Sequence, residues 1–222
     1  MRTENPESHP LQLAEMVAVI AHEFRNPLTG IRAAIEMVGR HLPAPSTERM
    51  VIEEILERID RLDAVVDDLL TFAESPEPHW CPVALEPVLN DVIHSLGERH
   101  AAEFRILAHP TLPLVRGDEA LLRTVFLNLL TNAVHAGGDR GVVEISFATE
   151  PSRVSVSIAD HGPGFSTAAR EALFRPFFTT KARGTGLGLP TARRLVELHG
   201  GRLAIESGAD GASVVVTLPS AA

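Results

Sequence analysis

Between positions 11 and 40 the apolar residues Leu13, Met16, Ile20, Phe24, Leu28, Ile31, Ile35 and Val38 recur in steps of three and four. That spacing predicts one long helix with a single apolar face. Leu42, Pro43, Ala44 and Pro45 stop it, and from about Ser46 a second stripe begins with Val51, Ile55, Ile59, Leu62, Val65 and Leu69. Between these lie Glu53, Glu54, Glu57, Arg58, Asp60, Arg61, Asp67 and Asp68, the makings of a solvated outer face. Two helices alone cannot bury both stripes, whereas two hairpins joined as a four-helix bundle can. A homodimer is therefore expected.

Ser75, Pro76, Glu77, Pro78 and His79 break the helical period and read as a linker. Beyond it the period changes to two. Val143, Ile145 and Phe147, then Val154, Val156 and Ile158, alternate with polar residues, and Leu203, Ile205 and Val214, Val216, Leu218 repeat the pattern. Helical stretches are predicted at about 86–96, 118–136 and 189–199. The expected fold class is α+β: a helical hairpin over 11–75, then an α/β sandwich over 80–222 with helices layered on a mixed sheet. Positions 1–10 are expected to be a disordered or linking N-terminus.

Composition narrows the partners. The chain has 222 residues, 45% of them hydrophobic and 22% charged, a globular balance without low complexity. A formal charge of -9 opposes binding to nucleic acid. The one cysteine, Cys81, cannot form an internal disulfide, which favours a reducing, cytoplasmic setting. The apolar run 16–21 is far short of the ~20 residues a membrane helix needs, and the first residues do not resemble a secretory signal. The segment before Leu11 is too short for a further folded domain, so the chain is expected to be either an excised core or a protein controlled by a partner.

His22 lies between the core positions Ile20 and Phe24 and should face outward. Glu23 is adjacent, and Asn26 sits one turn further on the same face. A neutral imidazole is a nucleophile near pH 7, and a carboxylate on one ring nitrogen holds the tautomer that frees the other. Pro27 removes a hydrogen bond to the carbonyl of Glu23, so a bend or loosened turn is expected there. Further along, Asn128 and Asn132 lie four apart on one helix face, with Leu127, Leu130 and Val134 assigned to its buried side. The same pair could be ordinary polar surface. Asp160 follows a strand and precedes the turn His161-Gly162-Pro163-Gly164, where the glycines let a ligand approach the backbone, although a plain Asp-Gly turn has the same letters.

The string HEFRNPLTGI resembles the phosphoacceptor box of two-component sensor histidine kinases. LNLLTNAVHAG, DHGPGF, FRPFFTTK and GTGLGL follow in that family's order, so the resemblance covers about residues 11–219. It is nearest to nitrogen-regulator-like sensor kinases. The resemblance implies a Bergerat ATP-binding fold, shared with gyrase, Hsp90 and MutL-type ATPases. It implies that ATP with Mg²⁺ phosphorylates His22 and that the phosphoryl group passes to a response-regulator aspartate. Glu23 would act as base, and Asn26 would orient water in the reverse, phosphatase reaction.

Asn128 and Asn132 would serve metal and phosphates. His135, Asp160, Gly162, Gly164, Thr180, Lys181, Gly184, Thr185, Gly186, Leu187 and Gly188 would complete the nucleotide site, with Arg183 a further cation. His161, Pro190 and His135 depart from the usual family pattern without removing a required group. A Rossmann site is disfavoured because Leu189 replaces the last glycine of GxGxxG, and no GxxxxGK[ST] occurs. The rival readings are a clamp-type ATPase or serine kinase, against which the HEFRNP helix argues, and a dimeric scaffold with a vestigial ATP site.

Overall fold

The computed structural model describes residues 8–43, 45–73, 76–97, 100–109, 111–138, 141–165, 172–179, 184–208 and 211–221. The chain divides into two compact units, Met1–Pro76 and Glu77–Ala222.

The first unit is a hairpin of α1 (Ser8–Arg40) and α2 (Thr47–Ala73). Ser46 starts α2, its Oγ accepting from the N–H of Arg49 at 3.2 Å. Pro27 leaves α1 unbroken. Arg25 pairs with Asp67, and Arg32 with Asp60, in one antiparallel register. Near the turn, a methyl placed on Gly39 would stand 3.1 Å from Cγ2 of Ile52, so the helices close up around a residue without a side chain. Inside the hairpin Ala21, Ile59, Val66 and Ala73 are buried. Many stripe residues are not: Phe24, Ile31 and Val38 on α1, and Val51, Ile55, Leu62 and Val65 on α2, are exposed in the single chain.

The second unit is an α/β sandwich. Its main sheet has the order β2-β4-β5-β7-β6, with β2 (Glu103–Ile106), β4 (Val142–Glu150), β5 (Arg153–Asp160), β6 (Arg202–Gly208) and β7 (Gly211–Pro219). β2 pairs parallel with β4, and the other neighbours pair antiparallel, so the sheet is mixed as expected. A small ribbon joins β1 (Cys81–Val83) to β3 (Val115–Gly117). Among the described residues the helices are α3 (Leu85–Gly97), α4 (Glu119–Gly137) and α5 (Gly188–Leu198). Their apolar sides meet the inward positions of β4, β5 and β7 in one core around Phe126, Leu130, Ile145, Ile158, Leu195 and Val216.

The buried face of α4 differs from the expectation at one position. Leu130 and Val134 are buried, but Leu127 is 42% exposed, and Val125, Phe126 and Leu129 fill the interior instead. Leu127 is adjacent in sequence to Asn128 and turns with it away from the core. Among the described residues no helix is long and apolar enough to cross a membrane.

Candidate functional site

β5 fixes the first feature of the site. Its core face runs Val154, Val156, Ile158 and then Asp160, a carboxylic acid where the alternation calls for an apolar side chain. Asp160 is 8% exposed, and its Oδ1 accepts from the N–H of Gly162 at 2.9 Å. A buried acid at the end of a strand, opposite Val143 on β4 and Ala212 on β7, is an expensive placement that a binding site explains. The backbone around it is closely packed. A methyl on Gly162 would lie 2.7 Å from the carbonyl oxygen of Ala136, which brings the turn after β5 against the end of α4. Gly164 has a φ of +66°, in the left-handed region that favours glycine.

The second feature is the meeting of α4 and α5. The Nδ2 of Asn128 donates to the carbonyl of Thr124 at 3.0 Å, which orients the amide and leaves Oδ1 toward α5. There a methyl on Gly188 would stand 2.9 Å from Asn128 Oδ1 and 3.5 Å from Asn132 Nδ2. Gly188 is the first residue of α5, and that helix has no side-chain cap. Its first-turn N–H groups are a positive helix end suited to phosphate oxygens. Pro190 sits in this first turn, where a missing N–H costs no helical hydrogen bond.

The aromatic segment leans on the same place. Gly186, at φ +70°, packs so closely on the backbone of Phe177 and Phe178 that a methyl would fall 2.6 Å from the Phe177 carbonyl carbon. Phe177 itself holds a φ of 65°, a strained conformation for a bulky residue. Arg193 on α5 lies 4.9 Å over the ring of Phe174 and ties this segment to the helix.

The structure thus brings Asn128, Asn132, Asp160, Gly162, Gly186 and Gly188 to one face of the second unit. His135 follows Asn132 by three residues on the same side of α4 and meets His100 edge-on, ring centroids 5.7 Å apart. Thr185 lies beside this cluster; its Oγ1 accepts from the N–H of Leu187 at 3.3 Å. The Leu187 side chain is buried, so only its backbone can face a ligand. Gly184 is exposed. Thr180, Lys181 and Arg183 lie outside the described residues.

In the first unit, His22, Glu23 and Asn26 share α1. Glu23 and Asn26 are exposed, while the side chain of His22 is outside the described residues. Sequence reasoning missed Gly211, where a methyl would fall 1.9 Å from the carbonyl oxygen of Asp160, and Asp118, which caps α4. The Asp118 signal was present in the sequence as an acid at the first position of the stretch expected to be helical, which the structure makes the cap.

Two family models match this chain. The His Kinase A (phospho-acceptor) domain matches residues 12–78, and the Histidine kinase-, DNA gyrase B-, and HSP90-like ATPase matches residues 117–222. The sensor histidine kinase ZraS of Escherichia coli (strain K12) is 32% identical over 198 residues, 88% of this chain and 43% of ZraS. Sporulation kinase C of Bacillus subtilis (strain 168) is 33% identical over 220 residues, 96% of this chain and 50% of that protein. Full-length ShkA in complex with AMPPNP superposes with a TM-score of 0.79 at 29% identity, over 94% of this chain and 46% of that one. Histidine kinase ThkA in complex with response regulator protein TrrA gives 0.70 at 29% identity, over 94% of this chain and 62% of that one. The chain spans about half the length or less of these two curated relatives.

Proposed function

The chain belongs to the two-component sensor histidine kinases, and from that premise we propose that it uses ATP to phosphorylate its own His22 and hands the phosphoryl group to an aspartate of a response regulator. The observation that carries this reading is the uncapped start of α5 seated by Gly188 on the two asparagine amides of α4, beside a buried acid. That set fits a purine nucleoside triphosphate. Asp160 offers an acceptor for an exocyclic amino group, the glycines admit the base and phosphates, and the helix end receives negative charge. Asn128 and Asn132 would hold Mg²⁺ through their hard amide oxygens. When bound, Mg²⁺ supplies charge neutralisation at the phosphates.

Catalysis here is mainly positioning and charge stabilisation. One nitrogen of His22 attacks the γ-phosphorus, the bond to the ADP oxygen breaks, and the proton on the other ring nitrogen passes to the Glu23 carboxylate. His22 then donates its phosphoryl group to a regulator carboxylate. ThkA was solved with the response regulator protein TrrA, which supports a regulator as partner. Asn26, exposed one turn from His22, is the group proposed to orient water when the regulator is dephosphorylated. The exposed apolar positions Phe24, Ile31 and Val38 lie seven apart, a heptad seam that a second copy would cover as a four-helix bundle. We place the protein in the cytoplasm, where ATP and regulators meet. Domain limits of 11–75 and 80–222 accompany this reading.

Calorimetry on three proteins tests it. Wild type and His22→Gln should bind Mg·ATP alike, whereas Asp160→Asn should bind at least about tenfold more weakly, as expected for loss of a charged hydrogen bond. Equal affinity in Asp160→Asn would remove the acid from the site.

A further inference from the structure

One buried histidine has no part in the chemistry above. His199 ends α5 and is 3% exposed. Its Nε2 lies 3.0 Å from the backbone nitrogen of Asp118, and its Nδ1 lies 2.7 Å from the carbonyl oxygen of Leu195. A backbone N–H can only donate and a carbonyl can only accept, so Nε2 carries the lone pair and Nδ1 the proton. The ring is thus a fixed neutral connector. Its slot is tight: a methyl on Gly117 would stand 3.0 Å from the ring carbon Cδ2.

Asp118 extends the connection. Its Oδ1 accepts from the N–H of Leu121 at 3.0 Å, capping α4, and its Oδ2 accepts from the N–H of His79 at 2.8 Å. The next residue, Trp80, meets the His199 ring edge-on with centroids 5.4 Å apart, under the Arg116 guanidinium at 5.0 Å. Three segments therefore converge on His199: the end of the linker at His79 with its neighbour Trp80, the start of α4, and the end of α5. The same two helices meet again at the candidate nucleotide face, where Gly188 rests on Asn128 and Asn132. Asn128 follows Asp118 by ten residues, or roughly 15 Å of helix.

Resting on the nucleotide reading of that face, we propose that His199 is a positioning residue: it joins the end of α5 to the start of α4 and to the linker's last residue His79 through its neighbour Trp80, so that nucleotide binding and linker conformation are coupled. A ligand that adjusts α5 against α4 at one end shifts the joint at the other. By linkage, a linker held or released through this joint changes nucleotide affinity by the same factor.

The reporter is already in the chain, because Trp80 is its one tryptophan. Mg·AMPPNP is titrated into the full chain while Trp80 emission is followed, with calorimetry on the same samples. In wild type the emission changes with the calorimetric affinity. His199→Leu weakens binding at least about fivefold, the low end of ordinary coupling between sites, and abolishes the emission change. His199→Gln, whose amide can accept from Asp118 and donate to Leu195, recovers both. Wild type that binds nucleotide without any change in Trp80 emission overturns the coupling, and this needs no variant to fold. So does a folded His199→Leu with wild-type affinity, or a folded His199→Gln that recovers nothing. No heat of binding in wild type would instead overturn the nucleotide reading, and the coupling with it.

Discussion

In the sheet unit the large apolar side chains are sealed, with Phe126, Leu122, Ile145 and Val156 at zero exposure, whereas in the hairpin Phe24, Ile31 and Val38 remain 49–59% exposed. One unit closes its core within a single chain. The other leaves a heptad-spaced apolar seam that the outer ion pairs cannot compensate, since exposed pairs contribute about 1 kcal/mol or less each. The difference matches the proposed division of labour. A nucleotide site needs fixed geometry, which the sandwich provides by itself, while the phosphoacceptor helix is proposed to lie in an assembly whose stability depends on protein concentration.

The strongest way to break this contrast is Ile31→Glu. A carboxylate forced into the seam should weaken association by at least about a thousandfold, read by analytical ultracentrifugation, because burying it unpaired costs several kcal/mol. The same change at Ile106, exposed on β2 of the sandwich, should shift that unit's stability by only about 0.5 kcal/mol. Smaller than the Ile31 effect, and confined to the sandwich, is that of Gly188→Ala. The added methyl meets Asn128 Oδ1 at 2.9 Å, and overpacking of this kind costs typically 1–3 kcal/mol, so nucleotide affinity should fall about tenfold while the hairpin is untouched.

Acid sharpens the comparison next. Burial pushes the Asp118 carboxyl up, but the N–H groups of Leu121, His79 and Ala120 outweigh it and hold it below the ordinary aspartate value. Its stabilising contribution is therefore complete above the unfolded value of about 3.9 and is lost as pH falls through the lowered folded value. Urea midpoints of the sandwich should decline below about pH 4, and Asp118→Asn should flatten that limb. The smallest effect belongs to Asp67→Ala, which breaks the exposed pair with Arg25 and should cost about 0.2–1 kcal/mol in hairpin stability by denaturant titration.

Much of this was legible in the sequence because it is periodic. Both long helices, the β4, β5, β6 and β7 strands, and the asparagine pair on α4 follow from steps of three, four or two. β1, β2 and β3 were missed because three or four residues are too few to show alternation. Leu127 was assigned to the core because an apolar letter next to a periodic stripe looks like part of it. The phase that excludes it is set by packing on the sheet. Asp160 was noticed as a strand end, yet its place on the buried face follows from continuing Val154, Val156 and Ile158 by one more step. The roles of His199 and Gly211 depend on partners distant in sequence, Asp118 for one and Asp160 for the other, and no local pattern announces them.

The most direct test of the proposed function is incubation with γ-³²P-ATP and Mg²⁺, wild type beside His22→Gln, with the labelled protein then exposed to alkali and to acid. The expected result is label on wild type alone, surviving alkali and lost in acid. Equal label on His22→Gln, or none on a wild type that binds ATP, would contradict it, and phosphate release without labelled protein would point instead to an ATPase of the same fold.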